Sequence, residues 1–234
     1  MSHRTRAEII SALRQGTKAV AAGARDSALP LGLEAIDRVI PGGGLGLGNL
    51  HEVSGDAATG FAAAILGRLE GPVLWCAASH HGRPLYPPGL QRFGLDPGCL
   101  VLARAARKPD ALWVAEEAMK SGALRAVVLE ADFTVPLAQS RRLQLGLEAS
   151  RCLGLLLYQG GEAKITGTTA ARTRWRVSSC PSPKHREGPC WRLELTRNKG
   201  GPTGQWEVSW HDTAHRLTMV SQTAGRPSGT RDAA

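Results

Sequence analysis

A chain of 234 residues with 42% hydrophobic content suits one α/β domain of ordinary size with modest appendages. No apolar run is long enough to span a bilayer, and the first residues lack the apolar segment of a secretory signal, so we expect a cytoplasmic protein with no membrane contact. The net charge of +9 indicates either a nucleic-acid or acidic protein partner, or simply a solvated basic face.

The five cysteines are odd in number, are scattered along the chain and show no C-x-x-C spacing. Three of them lie in apolar runs. We therefore predict small core residues of a reduced compartment rather than disulfides or zinc ligands.

Both ends of the chain are predicted to be appendages to a central core. Residues 6–22 are helix-like, with a narrow apolar stripe that includes Ile9 and Leu13. Residues 1–29 are accordingly predicted to be an N-terminal helix and linker, and residues 30–220 the core. Residues 221–234 are rich in Gly, Pro, Ser and Thr and are predicted to be a disordered tail.

Within the core, buried-type strands alternate with helices and then give way to a different pattern. The alternation predicts an α/β fold whose mostly parallel sheet is flanked by helices. After it, four segments of period-two alternation predict a C-terminal antiparallel meander. The predicted parallel strands are 73–78, 100–103, 126–132 and 154–159, the predicted helices 31–40, 61–69, 109–121 and 139–152, and the meander segments 174–178, 191–196, 205–210 and 216–220.

The most informative stretch is 40–66, where a glycine-rich turn and a short strand are followed by a small-residue helix. This order is typical of a phosphate-binding loop, in which a Lys neutralises phosphate and a hydroxyl holds Mg²⁺. Gly55 and Gly60 keep the loop's glycine spacing, but Phe61 occupies the Lys position and Ala62 the Ser/Thr position. We therefore predict a degenerate loop, no nucleotide cofactor and no catalytic residue.

Acidic and histidine residues give weak metal signals. Glu130 and Asp132 lie at the carboxyl end of a predicted strand, where α/β sheets place site residues. Acidic residues on one strand, without a hydroxyl from the loop, nevertheless make a poor Mg²⁺ site. The histidines near residues 51 and 80 fit no standard zinc spacing. We predict no metal site.

Arginines and tryptophans interleave in the meander and form the better candidate interface. On a strand of period two, Arg174 and Arg176 share one face and Trp175 lies on the other. These residues, together with Arg172, Arg192, Arg197 and Trp191, form a basic-aromatic patch that would suit phosphate contacts or, equally, an acidic protein groove.

The order of these elements resembles the RecA recombination core over residues 30–220. The resemblance places Gln159 where RecA senses the γ-phosphate, and Arg197, Asn198 and Lys199 where RecA reaches a neighbour's nucleotide. More closely, the segments 31–53, 174–176 and 195–206 resemble the ImuA family, RecA-like accessory proteins of a damage-inducible mutagenesis cassette.

The resemblance implies a non-catalytic RecA-fold adaptor of translesion DNA synthesis in the SOS response. The implied partners are RecA, an inactive Y-family polymerase homologue (ImuB) and an error-prone replicative-type polymerase, with DNA contacted weakly or indirectly. Ile9 and Leu13 would carry the RecA contact. The alternatives are a divergent RecA-type ATPase that uses Arg197 or Lys199 in place of the missing Lys, and a cell-division inhibitor of the SulA type.

Overall fold

The computed structural model describes residues 28–78, 85–158, 167–182 and 188–223. The predicted helix at 6–22, most of the predicted tail and Gln159 lie outside the described residues. Within them, a two-residue strand pair, β1 (Ala28–Leu29) and β2 (Leu45–Gly46), precedes one large sheet.

Six parallel strands form the body of that sheet, and apolar residues dominate their central members. They lie in the order β5-β4-β6-β7-β3-β8. Their bounds are β3 Leu50–Ser54, β4 Val73–Ala78, β5 Leu100–Arg104, β6 Ala126–Ala131, β7 Leu153–Tyr158 and β8 Thr173–Cys180. The strand that follows the glycine-rich turn, β3, therefore lies inside the sheet, between β7 and β8.

The meander continues the same sheet beyond β8. Strands β9 (Cys190–Asn198), β10 (Gly204–His211) and β11 (Arg216–Thr223) pair antiparallel in sequence order. Among the described residues, the two outermost strands of the sheet are β5 and β11.

Helices cover both faces of the sheet because the central strands are apolar on both sides. Along β4, Val73 and Trp75 enter one core while Leu74 and Cys76 enter the other. Helix α2 (Ala58–Leu66) packs in the first core, and helices α4 (Lys108–Lys120) and α5 (Leu137–Ser150) pack in the second. The helices are α1 Glu34–Asp37, α2 Ala58–Leu66, α3 Pro87–Leu90, α4 Lys108–Lys120 and α5 Leu137–Ser150, with 3-10 turns at Gln91–Phe93 and Pro97–Cys99.

The predicted fold class is confirmed: an α/β fold with a mostly parallel sheet, flanking helices and a C-terminal antiparallel meander. The bounds of two helices near the glycine-rich turn differ in an informative way. The helix predicted at 31–40 is a single turn, because the Asp37 carboxylate accepts hydrogen bonds from the N–H groups of Leu31, Gly32 and Leu33 and fixes them as a non-helical entry. The helix predicted from Phe61 begins three residues earlier, at Ala58.

Candidate functional site

The turn after β3 is short and packs tightly against the neighbouring strand β8. Only Gly55, Asp56 and Ala57 separate the end of β3 from the start of α2. Gly55 has φ +114°, and a Cβ there would collide with the carbonyl of Val177 on β8. The Ala57 N–H donates to that same carbonyl at 3.3 Å. A phosphate loop turns such N–H groups towards its ligand, whereas this turn lies against the neighbouring strand.

The residues at the second half of the loop pattern belong to the interior of helix α2. Gly60, Phe61 and Ala62 all lie within it, and the side chains of Phe61 and Ala62 are fully buried. Because the helix starts before Gly60, the positions that would present a Lys and a hydroxyl to phosphate point into the core instead.

Phe61 belongs to a group of six aromatic side chains that fills the space between α2 and the meander. We call it the aromatic cluster. Its members are Phe61, Phe93, Trp175, Trp191, Trp206 and Trp210. The Phe61 ring lies 6.0 Å from that of Trp175 and 6.1 Å, edge-on, from that of Trp191, separations typical of favourable aromatic pairs. At the position where a phosphate loop would carry its Lys, this chain has an aromatic side chain that packs in the core.

Asp56 adds a negative charge to the turn just before helix α2. Its carboxylate oxygens accept from the Ser179 N–H of β8 at 3.1 and 3.3 Å. A carboxylate is favourable near a helix N-terminus. It would also repel a phosphate arriving at the same place, so the electrostatics of the turn agree with its geometry.

A buried polar network lies beneath the aromatic cluster. His51 Nδ1 is 2.8 Å from the Thr173 hydroxyl and Nε2 is 3.0 Å from the Gly46 carbonyl. Trp175 donates its indole N–H to the same hydroxyl at 2.9 Å. These partners suit a neutral imidazole with its proton on Nε2. Burial, opposed by the Gly46 hydrogen bond, lowers the pKa of His51 from 6.5 to about 4. His51 is a structural residue of this network.

Three arginines of the predicted interface lie on the opposite face of the meander, and each of them pairs with an acid. Arg174 Nε donates to the fully buried Glu52 at 2.6 Å. The other two pairs are Arg176 with Glu194 at 3.3 Å and Arg192 with Glu207 at 2.9 Å. Three arginines of this face are therefore each matched by one carboxylate.

The structure corrects one part of that predicted patch. Trp175 is fully buried in the aromatic cluster, and Trp191 is buried beside it. The placement of Trp175 on the face opposite Arg174 and Arg176 is as predicted, but that face is the core. Period-two alternation separates the faces without indicating which one is covered. A surface contact by Trp175 is therefore excluded in this fold.

Arg197 and Lys199 lie at the far end of β8 from the closed turn. The Arg197 guanidinium donates to the Thr169 carbonyl at 2.9 Å, and the Lys199 N–H donates to the Arg172 carbonyl. Arg197 pairs opposite Arg174, whereas the turn is held at 177–179, a separation of roughly 10 Å or more along the strand. Neither residue approaches the position of the missing Lys within this chain.

The acidic candidates do not converge on a metal site. Glu130 accepts the indole N–H of Trp75 at 2.8 Å, and burial raises its pKa. Asp132 is exposed just beyond β6. In the described ranges, no three His, Cys, Asp or Glu side chains come close enough to share a metal ion.

Sequence reasoning predicted strand β5 but missed its position at the edge of the described sheet, where apolar side chains on both of its faces are exposed. Val101 is 51% exposed and Leu102 50% exposed. We call these two residues and the unpaired side of β5 the apolar edge. A separate groove between α4 and α5 carries the exposed Trp113. The run from Leu100 to Ala103 indicated a strand, but only the strand order shows that it lies at the edge.

Fold and site together define a class: an α/β protein with the strand-turn-helix layout of a phosphate-loop protein, whose loop is closed by packing. No protein-family model matches the chain. Protein ImuA of two Caulobacter vibrioides strains, NA1000 / CB15N and ATCC 19089 / CIP 103742 / CB 15, is 33% identical to it over 223 residues. In both cases the match covers 84% of this chain and 90% of the relative. The chain belongs to the ImuA family.

In the described part of the chain, none of the helices is both long and apolar enough to cross a membrane.

Proposed function

We propose that the chain is a non-catalytic RecA-fold adaptor in damage-induced translesion DNA synthesis, acting in the cytoplasm without a nucleotide or metal cofactor. The observation that carries the proposal is the closed turn: Phe61 fills the core where a Lys would meet phosphate, and Gly55 and Ala57 are held against Val177. Membership of the ImuA family supplies the setting in mutagenesis. Without phosphate chemistry, the chain would act by holding other proteins together.

The proposed mechanism is partial mimicry of RecA. A chain with a RecA-type layout docks on the end of a RecA filament, yet cannot extend it because it performs no ATP chemistry. The docked chain then brings an inactive Y-family polymerase homologue (ImuB) and an error-prone replicative-type polymerase to damaged DNA. Two partners held at once require two separate surfaces.

We assign one surface to each of the first two partners. Ile9 and Leu13 of the N-terminal segment, four residues apart in the predicted helix, are the proposed anchors for RecA. The apolar edge is the proposed site for the polymerase homologue. An open strand offers a row of backbone donors and acceptors to which a partner can add a strand, and Val101 and Leu102 then become buried on opposite faces.

The test measures the binding of each purified partner to three variants of the full chain. Ile9→Asp with Leu13→Asp should lose RecA and keep the polymerase homologue, and Val101→Lys with Leu102→Lys should do the reverse. Trp113→Ala, in the separate groove, is the matched control and should keep both. Retention of both partners by both double variants, with unchanged melting curves, would refute the assignment of surfaces.

We further propose that DNA contact is weak or indirect. The paired acids beside Arg174, Arg176 and Arg192 offset the charge that phosphate binding would need. Changing Arg174, Arg176 and Arg197 to Ala should leave the salt dependence of DNA binding unaltered. A flatter salt dependence, by about one counterion per lost phosphate contact, would show that this face binds DNA directly.

A further inference from the structure

Two cysteines that the sequence presents as unrelated meet at the mouth of the β8–β9 hairpin. Cys180 is the last residue of β8 and Cys190 the first of β9, and the pairing register places them directly opposite each other. Their Sγ atoms are 2.8 Å apart, and both are free thiols. Directly opposed antiparallel residues have Cα separations within the range that a disulfide spans.

The two thiols differ in accessibility in a way that suits stepwise oxidation. Cys180 is partly exposed, whereas Cys190 is buried. An oxidant in solution can therefore reach Cys180 first, with Cys190 already in place behind it. Cys76 and Cys152 are buried in the second core, and Cys99 lies at a 3-10 turn, so none of these three belongs to the pair.

We propose that Cys180 and Cys190 form a reversible intrachain disulfide when the protein meets a low-molecular-weight disulfide oxidant. The Cys180 thiolate attacks one sulfur of the oxidant and releases the first reduced thiol. Cys190 then attacks the mixed disulfide at Cys180 and releases the second. Two protein thiols lose two protons and two electrons, and one oxidant molecule becomes two thiols.

The surroundings of Cys180 make this a slow response. Burial, together with Cys190 and Glu207, raises the pKa of Cys180 to about 12, against the opposing charge of Arg192. Because the thiolate is the nucleophile, little of it exists at neutral pH. The disulfide should therefore form under sustained oxidation and form faster as the pH rises.

The disulfide would restrict the motion of β8, the strand against which the turn after β3 packs. The same half of β8 provides the Val177 carbonyl that binds Ala57 and the Ser179 N–H that binds Asp56. Joining Cys180 to β9 limits the opening of that strand. The proposed adaptor role does not depend on this bond, and the bond does not depend on the adaptor role.

The test uses the full chain carrying Cys99→Ser, which removes the partly exposed thiol outside the pair. The protein is incubated with excess glutathione disulfide, and peptide mass spectrometry without reductant follows. We expect a peptide cross-link between Cys180 and Cys190 that a reductant reverses, and slower hydrogen exchange at the N–H groups of Ala57 and Ser179. A further Cys190→Ser change should leave glutathione attached at Cys180.

Two results would overturn the proposal. One is a stable glutathione adduct on Cys180 with Cys190 still a free thiol. The other is a pair that stays fully reduced in excess oxidant at alkaline pH. Both results are observed on the folded chain that keeps Cys180 and Cys190. The test therefore remains valid even if the Cys190→Ser variant fails to fold.

Discussion

The closed turn and the apolar edge lie in one sheet but have opposite surroundings. Around Gly55 and Phe61, the aromatic cluster fills the core and the carbonyl of Val177 lies directly against the turn. At β5, four strands from β3 and roughly 19 Å away, Val101 and Leu102 are half exposed, and no other described strand pairs with the outer side of β5. The end of β3 is therefore packed, whereas β5 is an edge of the described sheet.

The contrast teaches that the packing at the closed turn depends on segments that are far apart in the chain. Here Trp175 and Trp191 of the meander meet Phe61, so the residues of two distant segments fit one another. A core packed in this way resists reopening.

The largest expected effect comes from forcing the turn open at Phe61. Phe61→Ala should destabilise the fold by about 3–5 kcal/mol because it leaves a cavity in the core. Phe61→Lys restores the residue type of a working phosphate loop, yet should destabilise at least as strongly by burying an unpaired charge. Chemical denaturation measures both changes. Phe61→Leu is the control and should cost much less, since it keeps an apolar side chain. A Lys variant as stable as the parent would show that the position can reach solvent.

The next effect concerns Arg174, whose partner Glu52 is fully buried. Arg174→Ala should cost about 3 kcal/mol because it leaves a buried carboxylate without its cation. Arg192→Ala removes the more exposed ion pair with Glu207 and is the matched control, for which we expect no clear loss. Urea unfolding of both variants distinguishes them. Equal small losses would mean that Arg174 is a surface residue, as the patch interpretation required.

The sequence sufficed for the order and type of the main elements, because strands such as Val73–Ala78 and helices such as Lys108–Lys120 have strong local patterns. It also indicated the missing Lys and hydroxyl. The sequence could not indicate which acids the arginines contact. Glu52 and Arg174, for example, are 122 residues apart and meet only because β3 pairs with β8.

Two further features depend on strand order rather than on local pattern. Trp175 alternates with arginines along β8, and this alternation is the same whichever face is buried. The pattern of β8 alone therefore does not indicate which of its two faces packs in the core. The exposure of Val101 follows from β5 being last in the sheet. Long-range pairing decided both.

A smaller, pH-dependent effect should come from His51 beneath the aromatic cluster. Its folded-state pKa lies below 6.5, so the neutral form stabilises the fold fully above pH 6.5. As the pH falls from 6.5 towards about 4, the unfolded chain gains the proton first, and stability should fall by up to roughly 1.4 kcal/mol per pH unit. Denaturation between pH 4 and 7 measures the slope. His51→Gln should be less stable at pH 7 and should flatten this part of the profile; an identical slope would assign it to other groups.

The smallest expected effect on stability is at the apolar edge. Val101→Lys with Leu102→Lys should change the free energy of unfolding by no more than about 0.5 kcal/mol, because both side chains are already half exposed. Thermal melts compare this variant with the parent. A loss of stability as large as that of Phe61→Ala would mean that Val101 and Leu102 are essential to the fold. The apolar edge would then not differ from the closed turn in its contribution to stability.

The most direct measurement of the central claim is calorimetric titration of the full chain with Mg-ATP. The absent Lys and hydroxyl would each have supplied about 1.5–3 kcal/mol, so their loss weakens nucleotide binding at least ~100-fold. The closed turn leaves no cradle in which the remaining contacts could form. The account predicts no binding heat at cellular nucleotide concentrations, while micromolar affinity for Mg-ATP would contradict it.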